Sequence, residues 1–191
     1  MINRINKIGK KYGMKFNIKK TKTMKVARKA GKLDIMIEGK KLEQIKQYKY
    51  LGSIIEEEGR CNKEIRARIG MGKSVFNKKK TTFCSKMDIG LRKRLVKCYV
   101  WSTMLHGAET WTLRKKDIEM LESFEMWIWR RMEKIKWIDK ITNLEVLRRV
   151  DEKINLIQTI LRRNYNLIGH NILRGESLMS AYFILSESSV L

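Results

Sequence analysis

The chain has 191 residues, enough for one domain of ordinary size, and 43 % of them are hydrophobic, which excludes the disordered class. Lys and Arg number 43 against 20 Asp and Glu, a formal net charge of +23. A compact domain this basic repels itself, so a polyanionic partner is expected, nucleic acid before any other. The competing explanation is codon bias from an AT-rich genome, since Lys outnumbers Arg.

No apolar run reaches bilayer length, and residues 1–11 are basic without a signal peptide's apolar core. The expected setting is intracellular, nucleus or cytoplasm, with no membrane. Cys61, Cys84 and Cys98 are odd in number and far apart, and His106 and His170 stand away from them. That pattern reads as reduced thiols and argues against a zinc site.

In chain order, Ile2, Ile5 and Ile8 recur at helical spacing, and Gly13 stops the pattern as a C′ glycine. Over residues 14–55 the period shortens. Met24 and Val26 alternate, as do Leu33, Ile35 and Ile37, with Gly39-Lys40 as a turn. Tyr48, Tyr50-Leu51 and Ile54-Ile55 follow, punctuated by Gly52 and Gly59. Short strands joined by hairpins are expected, few enough to make only a small sheet.

From Cys61 onward the chain reads as helix, and the absence of proline permits long ones. Asn62 caps a predicted helix running to Cys84, with Glu64 near its positive end. Asp88 caps a second, whose inner side is expected at Leu91, Leu95, Cys98-Tyr99 and Ser102, ending near Gly107. Asp117 opens a third, with Ile118, Leu121, Phe124-Glu125, Ile128, Met132 and Ile135 as its stripe. Thr142 and Glu145 form a capping box for a fourth, and residues 154–167 make a fifth.

The predicted fold is α+β and mainly helical: a small antiparallel β-element, then a bundle of about four or five helices. Three segments result, residues 1–60, 61–179 and a tail, 180–191, that contains no Lys or Arg.

Several ordered stretches carry a resemblance. Tyr12-Gly13-Met14-Lys15-Phe16-Asn17 followed by Lys20-Thr21-Lys22-Thr23-Met24 resembles a "GL-x-x-N-x-x-KT" segment, and Tyr48-Lys49-Tyr50-Leu51-Gly52-Ser53 resembles "F-x-YLGS". Glu64-Ile65-Arg66-Ala67-Arg68-Ile69 is similar to "EI-x-x-RI". Leu105-His106-Gly107-Ala108-Glu109-Thr110-Trp111 is similar to "LYGxETW", with His106 where Tyr is usual. Arg162-Arg163 with Ile168-Gly169-His170-Asn171-Ile172-Leu173-Arg174 resembles "RR…GHILR". In this order they resemble the reverse transcriptases (RNA-directed DNA polymerases) of non-LTR, LINE-type retrotransposons. The resemblance covers about residues 1–175 and leaves the tail unmatched.

The resemblance implies that residues 1–60 are a remnant of the palm with a primer-grip-like hairpin, and 61–179 a thumb-like region. The family's adjacent catalytic aspartates hold divalent metal, Mg, for chain extension. Here Asp34, Asp88, Asp117, Asp139 and Asp151 are the only aspartates, and none are neighbours. A truncated fragment without catalytic residues, metal or other cofactor is therefore expected, inactive alone. The expected partners are an RNA template and a DNA primer, with no small-molecule substrate.

By resemblance, Lys20, Thr21 and Lys22 lie near the incoming nucleotide, and Tyr50, Leu51, Gly52 and Ser53 form the hairpin at the primer end. The charge pattern itself points to Lys63, Arg66, Arg68, Lys73, Lys78, Lys79 and Lys80 on the first long helix. It continues through Arg92, Lys93, Arg94 and Lys97 on the next, as a surface that tracks a phosphate backbone. The bland alternative for each is a solvated face. Trp101, Trp111, Trp127, Trp129 and Trp137 invite base stacking, but their helical context favours core packing for most of them. The functional alternatives are a domesticated helical protein-interaction module and an enzyme with an unrecognised site.

Overall fold

A computed structural model describes residues 1–27, 31–152 and 156–173, with side chains to residue 170. Residues 28–30, 153–155 and the tail at 180–191 lie outside the described residues. The fold is mainly helical α+β, and the chain divides into two compact units, Met1–Glu64 and Ile65–Leu191.

The N-terminal unit opens with α1, Ile2–Lys11. Gly13 ends it at φ +72°: Gly13 N donates to Lys10 O at 3.1 Å and Met14 N to Gly9 O at 2.9 Å, the two bonds of a Schellman cap. The isoleucine stripe forms the helix but is not its buried side. Ile5 and Ile8 are each 47 % exposed, whereas Asn6 is buried and donates to Glu38 Oε1 at 3.0 Å.

The β-structure is three separate two-stranded pairs. β1 (Lys22–Thr23) pairs in parallel with β4 (Glu43–Gln44). Between them lies an antiparallel hairpin, β2 (Met36–Ile37) with β3 (Lys40–Lys41). A longer antiparallel hairpin follows, β5 (Gln47–Tyr50) with β6 (Ser53–Glu56). The parallel pair departs from the all-hairpin expectation.

The alternation over Leu33, Ile35 and Ile37 also yields less strand than expected. The Gln44 amide takes the place of a strand partner there, accepting from Leu33 N and donating to Gly31 O, both at 2.8 Å. Met24 and Val26 fall just outside β1. The first turn is Glu38-Gly39 and not Gly39-Lys40, with φ +51° and +71°. Leu51-Gly52 turns the second hairpin at φ +47° and +89°. Two central residues at positive φ match the strand twist, which is why Gly recurs there.

The second unit is helical. α2 spans Asn62–Lys78, its first turn counted with the N-terminal unit, and breaks at Lys79 before the short α3, Lys80–Phe83. The predicted single helix to Cys84 is thus two. α4, Ile89–Val96, is capped as expected: Asp88 Oδ2 accepts from Leu91 N at 3.1 Å. It runs into a π-helical turn, Lys97–Trp101, and a last turn, α5, Ser102–Met104. Gly107 at φ +77° then turns the chain.

The inner side of this rod corrects the predicted one. Leu91 and Tyr99 are exposed, while Val96, Val100, Trp101, Met104 and Leu105 are buried. The π turn inserts one residue, so Val100 and Trp101 both face inward, a shift that a 3.6-residue period cannot anticipate.

α6, Lys115–Met132, begins two residues before Asp117, whose carboxylate reaches back to Arg114 N at 3.1 Å. Leu121, Phe124, Glu125, Ile128, Trp129 and Met132 are buried along it. Gly72 of α2 meets this helix closely: a Cβ there would stand 2.8 Å from Phe124 Cζ. α7, Asn143–Val150, is capped by Thr142, which accepts from Glu145 N at 3.3 Å. The Glu145 carboxylate holds Arg148 and Arg149. α8, Leu156–Leu173, packs on α6 through Leu156 and Ile160 and closes the core.

Candidate nucleic-acid interface

In the N-terminal unit the sequence-predicted residues lie at opposite ends of one hairpin. Lys20, Thr21 and Lys22 follow a turn at Asn17, which accepts from Lys20 N through its side chain and from the Thr21 hydroxyl through its carbonyl. Lys22 is paired with Glu43. Thr23 O takes Ile45 N, so this segment sits at the base of the β5–β6 hairpin. Tyr50, Leu51, Gly52 and Ser53 are at its tip, one four-residue strand away, about 13 Å.

The tip is outward-facing. Tyr48 and Tyr50 share one face, their ring centroids 6.5 Å apart, and both are exposed. Leu51 is 80 % exposed in a left-handed conformation that costs a non-glycine residue about 1–2 kcal/mol. The other face is anchored: Ile54 N donates to Glu64 Oε2 at 2.7 Å, and Lys63 pairs with Glu56 while donating to Gln47.

In the helical unit the basic residues divide by what holds them. Arg68 is only 5 % exposed and so leaves the surface set. Arg92 is largely covered, its guanidinium spent on Met87 O, Met132 O and Glu133 at 3.0–3.3 Å. Lys93 donates to Asp151 O at 2.7 Å. Lys97 pairs with Glu152 at 2.8 Å and lies over the Trp101 ring.

Lys73 and Lys79 remain exposed but lean on aromatic faces, Lys73 5.5 Å from Trp127 and Lys79 4.3 Å from Tyr99. Arg66, Lys78, Lys80 and Arg94 are exposed. Arg66 and Lys73 are seven residues apart on α2 and so share a face. Lys78-Lys79-Lys80 stands at the α2–α3 break, three consecutive charges turned to solvent.

The tryptophans sort cleanly. Trp101, Trp111 and Trp129 are core. Trp127 is half-buried, stacked on Phe124 and edge-on to Phe76, with Arg131 4.5 Å from its ring, so its faces are already covered. Trp137 is the exception, 93 % exposed, and the helical-context reading missed it. The available signal was its place between Lys136 and Lys140, beyond the end of the apolar stripe.

Two carboxylates have displaced ionisation. Glu125, 2 % exposed, is pushed up by burial. The Leu156 N–H, donated to Glu125 Oε2 at 2.9 Å, and the Trp129 indole N–H oppose this, Glu152 adds to it, and Lys97 lowers it. Glu145 is held at about 2 by hydrogen bonds from Arg148 and then Arg149.

The five aspartates have structural posts. Asp88 and Asp117 cap helices and Asp139 closes a turn. Asp151 ends α7 in a left-handed conformation, and Asp34 pairs with Lys41. They do not supply the paired carboxylates that a two-metal site requires. Among the described residues, no three His, Cys, Asp or Glu side chains converge. None of the described helices is long and apolar enough to cross a membrane.

No protein-family model, curated protein or solved structure matches this chain.

Proposed function

We propose that this chain is a reverse-transcriptase-type fragment, a primer-grip-like hairpin followed by a thumb-like bundle. On this reading it binds primer–template nucleic acid in the nucleus or cytoplasm without polymerising it. The ordered motifs at Tyr12, Tyr48, Glu64, Leu105 and Arg162 support the reading, together with the net charge of +23. The observation that carries the binding role is the exposed run Lys78-Lys79-Lys80 at the α2–α3 break, beside the Arg66 and Lys73 face of α2. Such charges contact phosphate and position a duplex without reading its bases.

Replacing Lys78, Lys79 and Lys80 together by Gln tests this. The expected result is weaker binding to an RNA–DNA hybrid and a log-affinity against log-salt slope shallower by about two to three. An unchanged slope removes these lysines from the interface.

A second reading, a protein-interaction module, is favoured by α1. Its Ile5 and Ile8 are half-exposed, and Tyr12 and Met14 beyond it are open to solvent, an apolar strip of the kind that partners cover.

A further inference from the structure

The connection between α6 and α7 presents apolar side chains to water in a way the rest of the helical unit does not. Trp137 is 93 % exposed, and Ile138 and Leu144 are 84 % and 80 % exposed. None of the three contributes to the core, so folding does not account for them.

The segment is nevertheless tightly held. α6 ends in a Schellman cap: Ile135 N donates to Arg130 O at 2.9 Å and Lys134 N to Arg131 O at 3.2 Å. The C′ residue is Lys134 at φ +57°, where glycine is usual. Trp137–Asp139 is a single 3₁₀ turn, closed by Asp139 Oδ2 accepting from Lys136 N at 2.7 Å. Lys140 follows at φ +47°. Arg130 then fixes the return, donating to Ile141 O at 2.7 Å and Asn143 Oδ1 at 2.9 Å. Two lysines in a strained conformation thus bracket a turn whose two central side chains have nowhere to pack.

Charge selects the occupant. Lys134, Lys136 and Lys140 are all exposed and flank Trp137 within three residues. The nearby acids are engaged, Asp139 by the turn and Glu133 by Arg92. A rigid indole with both faces open, ringed by lysines, is the combination that stacks an unpaired base and neutralises the adjoining phosphates. Because the turn is ordered before binding, little conformational entropy is lost on contact.

We infer that Trp137, with Ile138 beside it and Lys134, Lys136 and Lys140 around it, is a stacking platform for single-stranded nucleic acid. It is distinct from the basic α2–α4 surface proposed for duplex. This rests on the nucleic-acid reading above but assigns it a second, strand-specific contact.

The test measures binding of the full chain to a fluorescein-labelled short oligothymidylate and, separately, to an RNA–DNA hybrid. Wild type, Trp137→Ala and Trp137→Phe are compared, with unfolding midpoints confirming that all are equally folded. The expected result is a loss of about tenfold or more on the oligothymidylate for Trp137→Ala, largely restored by Trp137→Phe, with hybrid binding nearly unchanged. Equal oligothymidylate binding by wild type and Trp137→Ala overturns the platform and leaves the duplex reading standing. Wild type binding neither probe overturns both. A Trp137-dependent fluorescence change with phosphatidylserine-containing vesicles but not with oligothymidylate assigns the turn to a lipid surface instead. Concentration-dependent self-association abolished by Trp137→Ala, without oligothymidylate binding, assigns it to a second copy of the chain.

Discussion

Trp129→Ala is expected to lower the unfolding free energy of the helical unit by about 3–5 kcal/mol, the range for truncating a fully buried large aromatic. Trp129 has no exposed surface, and its ring centroid lies 6.3 Å from that of Trp101. Its indole N–H points at Glu125 Oε1 at 3.4 Å. The substitution therefore leaves a cavity where α6 meets the α4–α5 rod and removes one of the donors around a buried carboxylate. Domain stabilities are only about 5–15 kcal/mol, so the loss is a large fraction of the whole. Urea unfolding followed by circular dichroism measures it. Trp137→Ala, on a residue outside the core, is the control and should leave the midpoint in place. Equal effects from the two substitutions would mean that the core is not organised around Trp129.

The second large effect is at Glu125. Its carboxylate is the acceptor for the first described N–H of α8, so it ties that helix's start to the middle of α6. Glu125→Ala should cost about 1–3 kcal/mol for the buried Leu156 N–H left unpaired, with a further loss from the void. Glu125→Gln keeps an acceptor in place and isolates the charge. Burial raises the folded-state ionisation of Glu125 above the ordinary value of 4.5. The folded protein therefore holds that proton more tightly than the unfolded chain does. The stabilisation this brings is fully present below pH 4.5 and is lost as pH rises through the raised value.

Glu145 acts in the opposite sense. Held at about 2 by Arg148 and Arg149, it stabilises above pH 4.5 and loses that contribution as pH falls toward 2. Urea midpoints measured from pH 4.5 to neutrality should decline more for wild type than for Glu125→Gln. Below pH 4.5 the two should fall together. Parallel curves throughout would show that Glu125 is not the buried acid described.

Where the sequence carried local rules, the structure follows them. Gly13, Asp88 and Thr142 occupy the cap positions that their side chains dictate, because a cap is a contact within a few residues. The stripe on α6 was legible because one regular period runs its whole length. The α4–α5 rod was not, because a single extra residue in a π turn rotates everything after it. The short strands were overestimated for a related reason: Gln44 satisfies the backbone at Gly31 and Leu33 from a distance in sequence that alternation does not reveal.

The candidate interface divided along the same line. Charge density marked α2 to α4, but it did not separate exposed Arg66 and Lys80 from buried Arg68 and engaged Arg92, since partners such as Glu133 lie about forty residues away. Trp137 was missed because helical context was extended past the end of α6, where Lys134 had already turned the chain.

The central claim is that the positive surface is a nucleic-acid surface and not merely unspecific charge. A salt titration of wild-type binding to a primer–template RNA–DNA hybrid, with heparin as competitor, tests it most directly. Saturable binding that prefers the hybrid over heparin, with affinity falling by orders of magnitude from low to physiological salt, is the predicted result. Binding that heparin matches at every salt concentration, or no binding at all, would contradict it.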